Sequence, residues 1–248
     1  MAVLTSILKL PPFMNTNLSG KSFILMLVSS LFCGASLVNA DDKDPHPDAI
    51  LEAARFSAAQ VEEHTMEGYL RHLESNKRFP FKMTIRKRQI AYMFTKNPQH
   101  IIVLDLMDER HRLRESKAGR PYVDVPTAAY SQEIRGTGVN YVDISMHYLY
   151  WPNAKFEATD TVANRLTWRV SVPNPSKSGP YTSMRIWVDK NTGALMRVQG
   201  LNANGKVTKQ MEVRDVKKVR GVWEPKRIDI VTIDPNSGRA VSRTQMKF

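Results

Sequence analysis

The chain has 248 residues and a formal charge of +12, from 36 lysines and arginines against 24 acidic residues. Its one cysteine, Cys33, excludes a disulfide scaffold and a cysteine-based zinc site, so the fold depends on its own apolar core.

Residues 22–38, SFILMLVSSLFCGASLV, carry no charge, follow Lys21 and lead into VNA, with small residues at Val38 and Ala40. A basic start, an apolar run and a small-residue end mark a secretory leader, with cleavage expected between Ala40 and Asp41. Met14 would open a leader of more ordinary length. The alternative is an uncleaved anchor, since the run approaches the ~18 apolar residues of a membrane span. A lipoprotein leader is disfavoured by Phe32 just before Cys33 and Ser30 three before it. Cleavage leaves residues 41–248 as a single exported domain, whose charge is +10 once Lys9 and Lys21 are subtracted. Nucleic acid is scarce outside the cytoplasm, so the expected charged partner is a transient anionic membrane surface, with solubility alone as the other reading.

DDKDPHPD (41–48) reads as a polar N-terminal segment, and Ile50, Leu51, Ala54, Ala58 and Val61 then recur at helical spacing over 47–64, with Asp48 as the N-cap. From Met66 the period changes to strands. MEGYLRHLE, PFKMTIRKR, QIAYMFTK, QHIIVLDL and ERHRLRES follow one another, divided at Asn76, Pro80 and Asn97-Pro98. Residues 123–150 read as short helical pieces around the glycine loop RGTGVN, and strands resume at AKFEATDTV. The pattern indicates about ten strands, one helix before them and one or two helices inserted. In 184–188, Met184, Ile186 and Val188 point one way and Arg185 and Trp187 the other; in 207–213, Val207, Met211 and Val213 oppose Thr208, Gln210 and Glu212. One apolar and one polar face describe an antiparallel sheet wetted on one side, whose apolar face must bury against the few helices.

Candidate chemistry is sparse. His46, His64, His72, His100, His111 and His147 form no HxH or HExxH pair, and no metal or other cofactor is expected. The GTG at 136–138 lacks the rest of a dinucleotide loop and reads as a plain turn. No GxSxG is present, and nothing in the sequence brings Asp143 to Asp160 as an acid–base pair. No catalytic residue is named and no enzyme is expected. The basic clusters 86–88, 110–114 and 217–220 read first as solvated strand edges.

The segment MRIWVDKNTGALMRVQGLNANGKVTKQMEVRDVKKVRGVWEPKRIDI (184–230) resembles the outer-membrane lipoprotein-sorting proteins, the LolA/LolB-like superfamily. It carries the WVDK-TG strand end, the return strand with arginine, the GK hairpin and the G-W-P-R pattern; IRGTGVNYVDIS (134–145) is similar to a second segment of that family. The resemblance implies a mainly β fold, an open, strongly curved antiparallel half-barrel closed by a helical lid, with acyl chains on its concave face. It implies a periplasmic carrier of lipoprotein acyl chains or phospholipid, taking cargo from an inner-membrane exporter to an outer-membrane acceptor. The alternative is a lipid-sensing or protein-binding module on the same scaffold; with no further domain expected after Phe248, the carrier is favoured. The expected lining is Leu70, Met83, Ile85, Tyr92, Phe94, Ile102, Leu104, Met184, Ile186 and Trp187, with Tyr141, Ile144 and Tyr148 on the lid. Met184, Ile186 and Trp187 cannot all face inward on a regular strand. Met93, Met107, Met196 and Met211 also fall in or beside expected strands, where flexible side chains adapt to variable cargo.

Overall fold

A computed structural model describes residues 45–59, 63–86, 88–96, 98–106, 112–176, 179–219 and 222–248. The leader, Val61, Met107 and His111 lie outside the described residues. Helix α1 (Pro47–Ala59) begins two residues before the start that an Asp48 cap implies. Proline, with its fixed φ and missing N–H, takes the first helical position, so Asp48 sits in the first turn instead of capping it. The chain is already a strand at Glu63.

The first run of strands is β1 (Glu63–His72), β2 (Arg78–Arg86), β3 (Gln89–Phe94), β4 (His100–Asp105), β5 (Arg112–Lys117) and β6 (Val123–Asp124). After the helical insertion come β7 (Lys155–Val162), β8 (Arg165–Pro173), β9 (Ser183–Asp189), β10 (Leu195–Leu201), β11 (Val207–Val219), β12 (Val222–Ile233) and β13 (Ala240–Lys247). They make one sheet, in the order β6-β5-β4-β3-β2-β1-β13-β12-β11-β10-β9-β8-β7. Every pairing is antiparallel, and β1 against β13 joins the two runs. Thirteen strands exceed the expected number, partly through β6, two residues that no pattern reveals and that pairing with β5 defines. The sheet is open: β6 and β7 are edges and do not pair with each other. Bulges in β7, β10, β11 and β12 add the local twist that curves such a sheet. The fold is therefore the open antiparallel half-barrel with few helices.

Between β6 and β7 lies the insertion: a 3-10 turn at Thr127–Ala129, the loop 131–140, helix α2 (Tyr141–Ser145) and a second 3-10 turn at His147–Tyr150. This cap and α1 cover one face of the sheet. Helix α1 presents Ile50, Leu51 and Ala54 to the core. The β9–β10 turn reaches it closely, for a Cβ on Gly193 would sit 2.7 Å from the Ala53 carbonyl oxygen, and Gly193 has φ +69°. Close approach and positive φ both require glycine there. Asp44–Phe248 closes its core within itself as one compact unit.

Candidate functional site

The covered face of the sheet is apolar from β5 to β8. Leu70, Met83, Tyr92, Phe94, Ile102, Leu104, Met184 and Ile186 are buried in one cluster together with Tyr141, Ile144 and Tyr148 of the cap. Ile85 packs on the edge of that cluster, half-buried. Trp187 does not join it. It lies on the other face, in a small second cluster with Val162, Met196 and Val213, because strand alternation turns residue 187 away from Met184, Ile186 and Val188. Burial pushes the Tyr92 phenol up to about 12 and the Tyr148 phenol higher still, with smaller contributions at Tyr148 from Asp143 and Tyr92. Both rings therefore serve as neutral apolar wall.

Polar contacts hold the cap down at three places. The deepest is under α2. Asn140 and Asp143 form a reciprocal capping box, each side chain accepting the other's backbone N–H at 2.9 Å. Asp143 then does more than cap: its Oδ1 accepts from the Tyr181 hydroxyl at 2.9 Å, and its Oδ2 lies 3.4 Å from Lys209 Nζ. Lys209, rising from β11 on the inner face, also donates to the Gly138 carbonyl and, at 2.9 Å, to Thr232 Oγ1. Thr244 of β13 donates to the Thr137 carbonyl. Burial raises the Asp143 pKa, opposed by Lys209 and by the bonds from Asn140 and Tyr181. The GTG loop is thus no plain turn; it delivers two carbonyls to the middle of the sheet.

The second tie is on the other half of the sheet. The Tyr141 hydroxyl donates to Glu115 Oε2, which also contacts His100 Nε2 at 2.9 Å, while Lys117 Nζ reaches Glu115 Oε1 at 2.7 Å. Burial works to raise the Glu115 pKa, but the bonds from Lys117, Tyr141 and His100 outweigh it and the carboxyl ends lower. Burial lowers His100, against the raising influence of Glu115. In the third tie, Arg135 donates to the Lys96 carbonyl at 3.2 Å and to that of Pro98, with its guanidinium 5.3 Å from the Phe94 ring centre. A cleft of about 120 Å³ opens between the cap and residues 174–176 and 179–181, lined by Tyr130, Val142, His147, Trp151, Pro180 and Tyr181 among others.

The structure keeps Asp143 and Asp160 apart. Asp143 is buried beneath the cap, while Asp160 belongs to the outer face, where it accepts from Trp187 Nε1 at 3.0 Å. No group of three metal-ligating side chains occurs among the described residues, and no described helix is long and apolar enough to cross a membrane.

Residues 122–248 match a family model described as an uncharacterized protein-like family. No curated protein matches the chain. Among solved structures, an outer membrane lipoprotein-sorting protein domain from Vibrio parahaemolyticus superposes with a TM-score of 0.57 at 11% identity, over 82% of this chain and 91% of that one. A DUF1329 family protein from Desulfovibrio piger gives 0.55 at 10% identity, over 81% and 90%. A LolA superfamily protein from Nitrosomonas europaea gives 0.52 at 13% identity, over 82% and 91%. The chain belongs to the matched family, and its fold is LolA-like.

In this LolA-like chain, most of the motif residues of 184–230 build the scaffold. Asp189 accepts from the Asn191 and Thr192 amides and the Thr192 hydroxyl, and pairs with Arg165 at 2.7 and 2.8 Å. Trp187 lies between Arg169 and Arg197, with guanidinium carbons 5.8 and 5.1 Å from its ring centre. Arg197 in turn holds Glu212 at 2.6 Å, so the outer face is laced by ion pairs and Glu212 is buried rather than wetted. Sequence reasoning missed Lys209, Tyr181 and Glu115. The available signal for Lys209 was a lysine at a position that alternation assigns to the apolar face, beside Val207 and Met211.

Proposed function

We propose that this protein is a periplasmic carrier that shields the acyl chains of a lipoprotein, or of a related envelope lipid, between the inner and outer membranes. The observation that carries the reading is the apolar sheet face, continuous across both halves, under a cap tethered by a few polar bonds. An acyl chain of about 15 methylenes is held to a bilayer by ~12 kcal/mol, so a carrier must offer comparable dry burial. Here the cap occupies that face. Cargo takes the place of cap side chains such as Ile144 and Tyr148, entering along the seam beside Trp151 and Tyr181. Met83, Met184 and Met246 line the same face with flexible, polarizable side chains suited to chains of varied length. Export with cleavage after Ala40, loading by an inner-membrane exporter, delivery to an outer-membrane acceptor and transient contact with anionic membrane complete the reading. It assigns no catalytic step.

The test is native mass spectrometry on protein purified from the periplasm without detergent, followed by titration with a synthetic acylated peptide. Lipid or lipopeptide adducts displaced by that peptide support the carrier. Protein that arrives bare and binds neither acylated peptide nor phospholipid refutes it and leaves a protein-binding module on this scaffold.

A further inference from the structure

The two longest strands do more than continue the sheet. β10 pairs with β11 only up to Glu212, and β13 pairs with β12 only from Arg227 onward. Beyond those points 216–219 and 222–225 pair only with each other, out to Val219 against Val222. The result is a two-stranded ribbon overhanging the sheet. One side leans on the body of the protein through Glu224, which is buried with its Oε1 2.7 Å from His64 Nε2 of β1, a close contact without hydrogen-bond alignment.

The other side faces solvent with chemistry that solvent does not favour. Trp223 is 57% exposed and Val216 46%, whereas Trp151 and Trp187 are buried. Val216 opposes Pro225 and Lys218 opposes Trp223, so an apolar strip and an indole share one face, with the Lys218 ammonium 5.9 Å from the indole ring centre. The acids of this region are already engaged, Glu224 by His64 and Asp215 by Arg227 at 3.4 Å. Lys217, Lys218 and Lys226 have no ion-pair partner among the described residues.

We infer that this ribbon is a membrane-docking element, which lays Trp223, Val216 and Pro225 into the interface of an anionic bilayer and sets Lys218, on the same face, against its headgroups. Tryptophan is the side chain best suited to that depth, because its ring is apolar and its N–H finds a partner among headgroups. The lysine beside it supplies attraction to anionic lipid. Single-stranded nucleic acid fits less well, since such grooves stack successive bases on several aromatics and this face offers one. The inference deepens the carrier reading by naming the surface that meets the donor or acceptor membrane, and rests on it for that role alone.

The experiment uses the compact unit 44–248, which omits the apolar run 22–38, in co-sedimentation with vesicles of phosphatidylethanolamine and phosphatidylglycerol and with vesicles of phosphatidylcholine. The wild-type unit is expected to bind the anionic vesicles, with a blue shift of tryptophan emission, and to release them at high salt. Lys218→Gln should weaken binding about fivefold, the worth of one lysine at the surface. Trp223→Ser should weaken it about tenfold and remove the blue shift. Circular dichroism melts and acylated-peptide titrations are run on each variant, and both are expected to match wild type. Failure of wild type to bind acylated peptide while it still binds vesicles sinks the carrier and leaves the docking element standing. Wild-type protein that ignores anionic vesicles, or variants that bind them as well as wild type, overturns the docking element. So does a loss confined to self-association or to retention on single-stranded DNA.

Discussion

Lys209→Met isolates the deepest tie between cap and sheet. Methionine keeps the reach of the side chain and deletes the charge, so the bonds to the Gly138 carbonyl and to Thr232 at 2.9 Å vanish and Asp143, 3.4 Å away, loses its cation. Removing one partner of a buried ion pair costs about 3–5 kcal/mol. Asp143 keeps the Tyr181 hydroxyl and the Asn140 amide and can take up a proton, so the lower end, about 3 kcal/mol, is expected. For a domain of this size that is roughly 6–12 °C in Tm. Asp143→Asn combined with Lys209→Met removes both charges and should be less damaging than the two single changes summed, by about 2 kcal/mol. The deficit also has a predictable pH dependence. Burial raises the Asp143 pKa, and loss of Lys209 raises it further. A carboxyl whose folded pKa lies above its unfolded value of about 3.9 contributes most below that value and loses stability as pH rises through the folded pKa. The Lys209→Met deficit should therefore shrink toward acid pH, as followed by circular dichroism melts at several pH values. A deficit below about 0.5 kcal/mol at neutral pH, together with strict additivity, would falsify the latch.

The opposite pH sign is expected at the second tie. His100 and Glu115 both have folded pKa values below their ordinary ones, so their stability is full above the unfolded values and lost as pH falls. Melts should show a loss beginning below about pH 6.5 that His100→Gln removes, and a later one that Glu115→Gln removes; flat wild-type behaviour across that range contradicts it. Gly200→Ala would place a Cβ 2.4–2.8 Å from the Tyr181 ring, pushing its hydroxyl away from Asp143. The expected cost is about 1–3 kcal/mol by urea unfolding, with faster hydrogen exchange in α2, and unchanged exchange would separate Tyr181 from the latch. Trp187→Ala should cost about 3–5 kcal/mol while leaving acylated-peptide affinity unchanged, because its ring belongs to the outer face. A clear fall in affinity below the melting temperature would put Trp187 on the ligand path.

These two ties oppose each other in pH. Acid relieves the cost of burying Asp143 and weakens the Glu115–His100 contacts, so a single change in proton activity does not free the whole cap. Displacement by an apolar chain competes with both at once, through the packing of Ile144 and Tyr148 rather than through charge.

Much of the architecture was written in local pattern. Alternation in Met184, Ile186 and Val188 against Arg185 and Trp187 identified the two faces of β9 before any pairing was known, because a strand has no freedom to turn successive side chains to the same side. The turn residue Asn76 separated β1 from β2 for the same local reason. Helix α1 announced itself by spacing, and the glycine loop with short helices around it was visible as a break in the strand rhythm. The two-residue β6, the bulges and the ribbon were not visible. Each depends on which neighbour ends first, a property of pairing between distant segments. The polar latches were equally hidden: Asp143 and Lys209 stand 66 positions apart in sequence, and Tyr141 is 26 from Glu115. Sequence alone determined a mainly β chain with one apolar sheet face, since periodicity is a property of consecutive residues. Only the tertiary structure decided what covers that face and what holds the cover down, because a buried charge declares its partner through three-dimensional proximity.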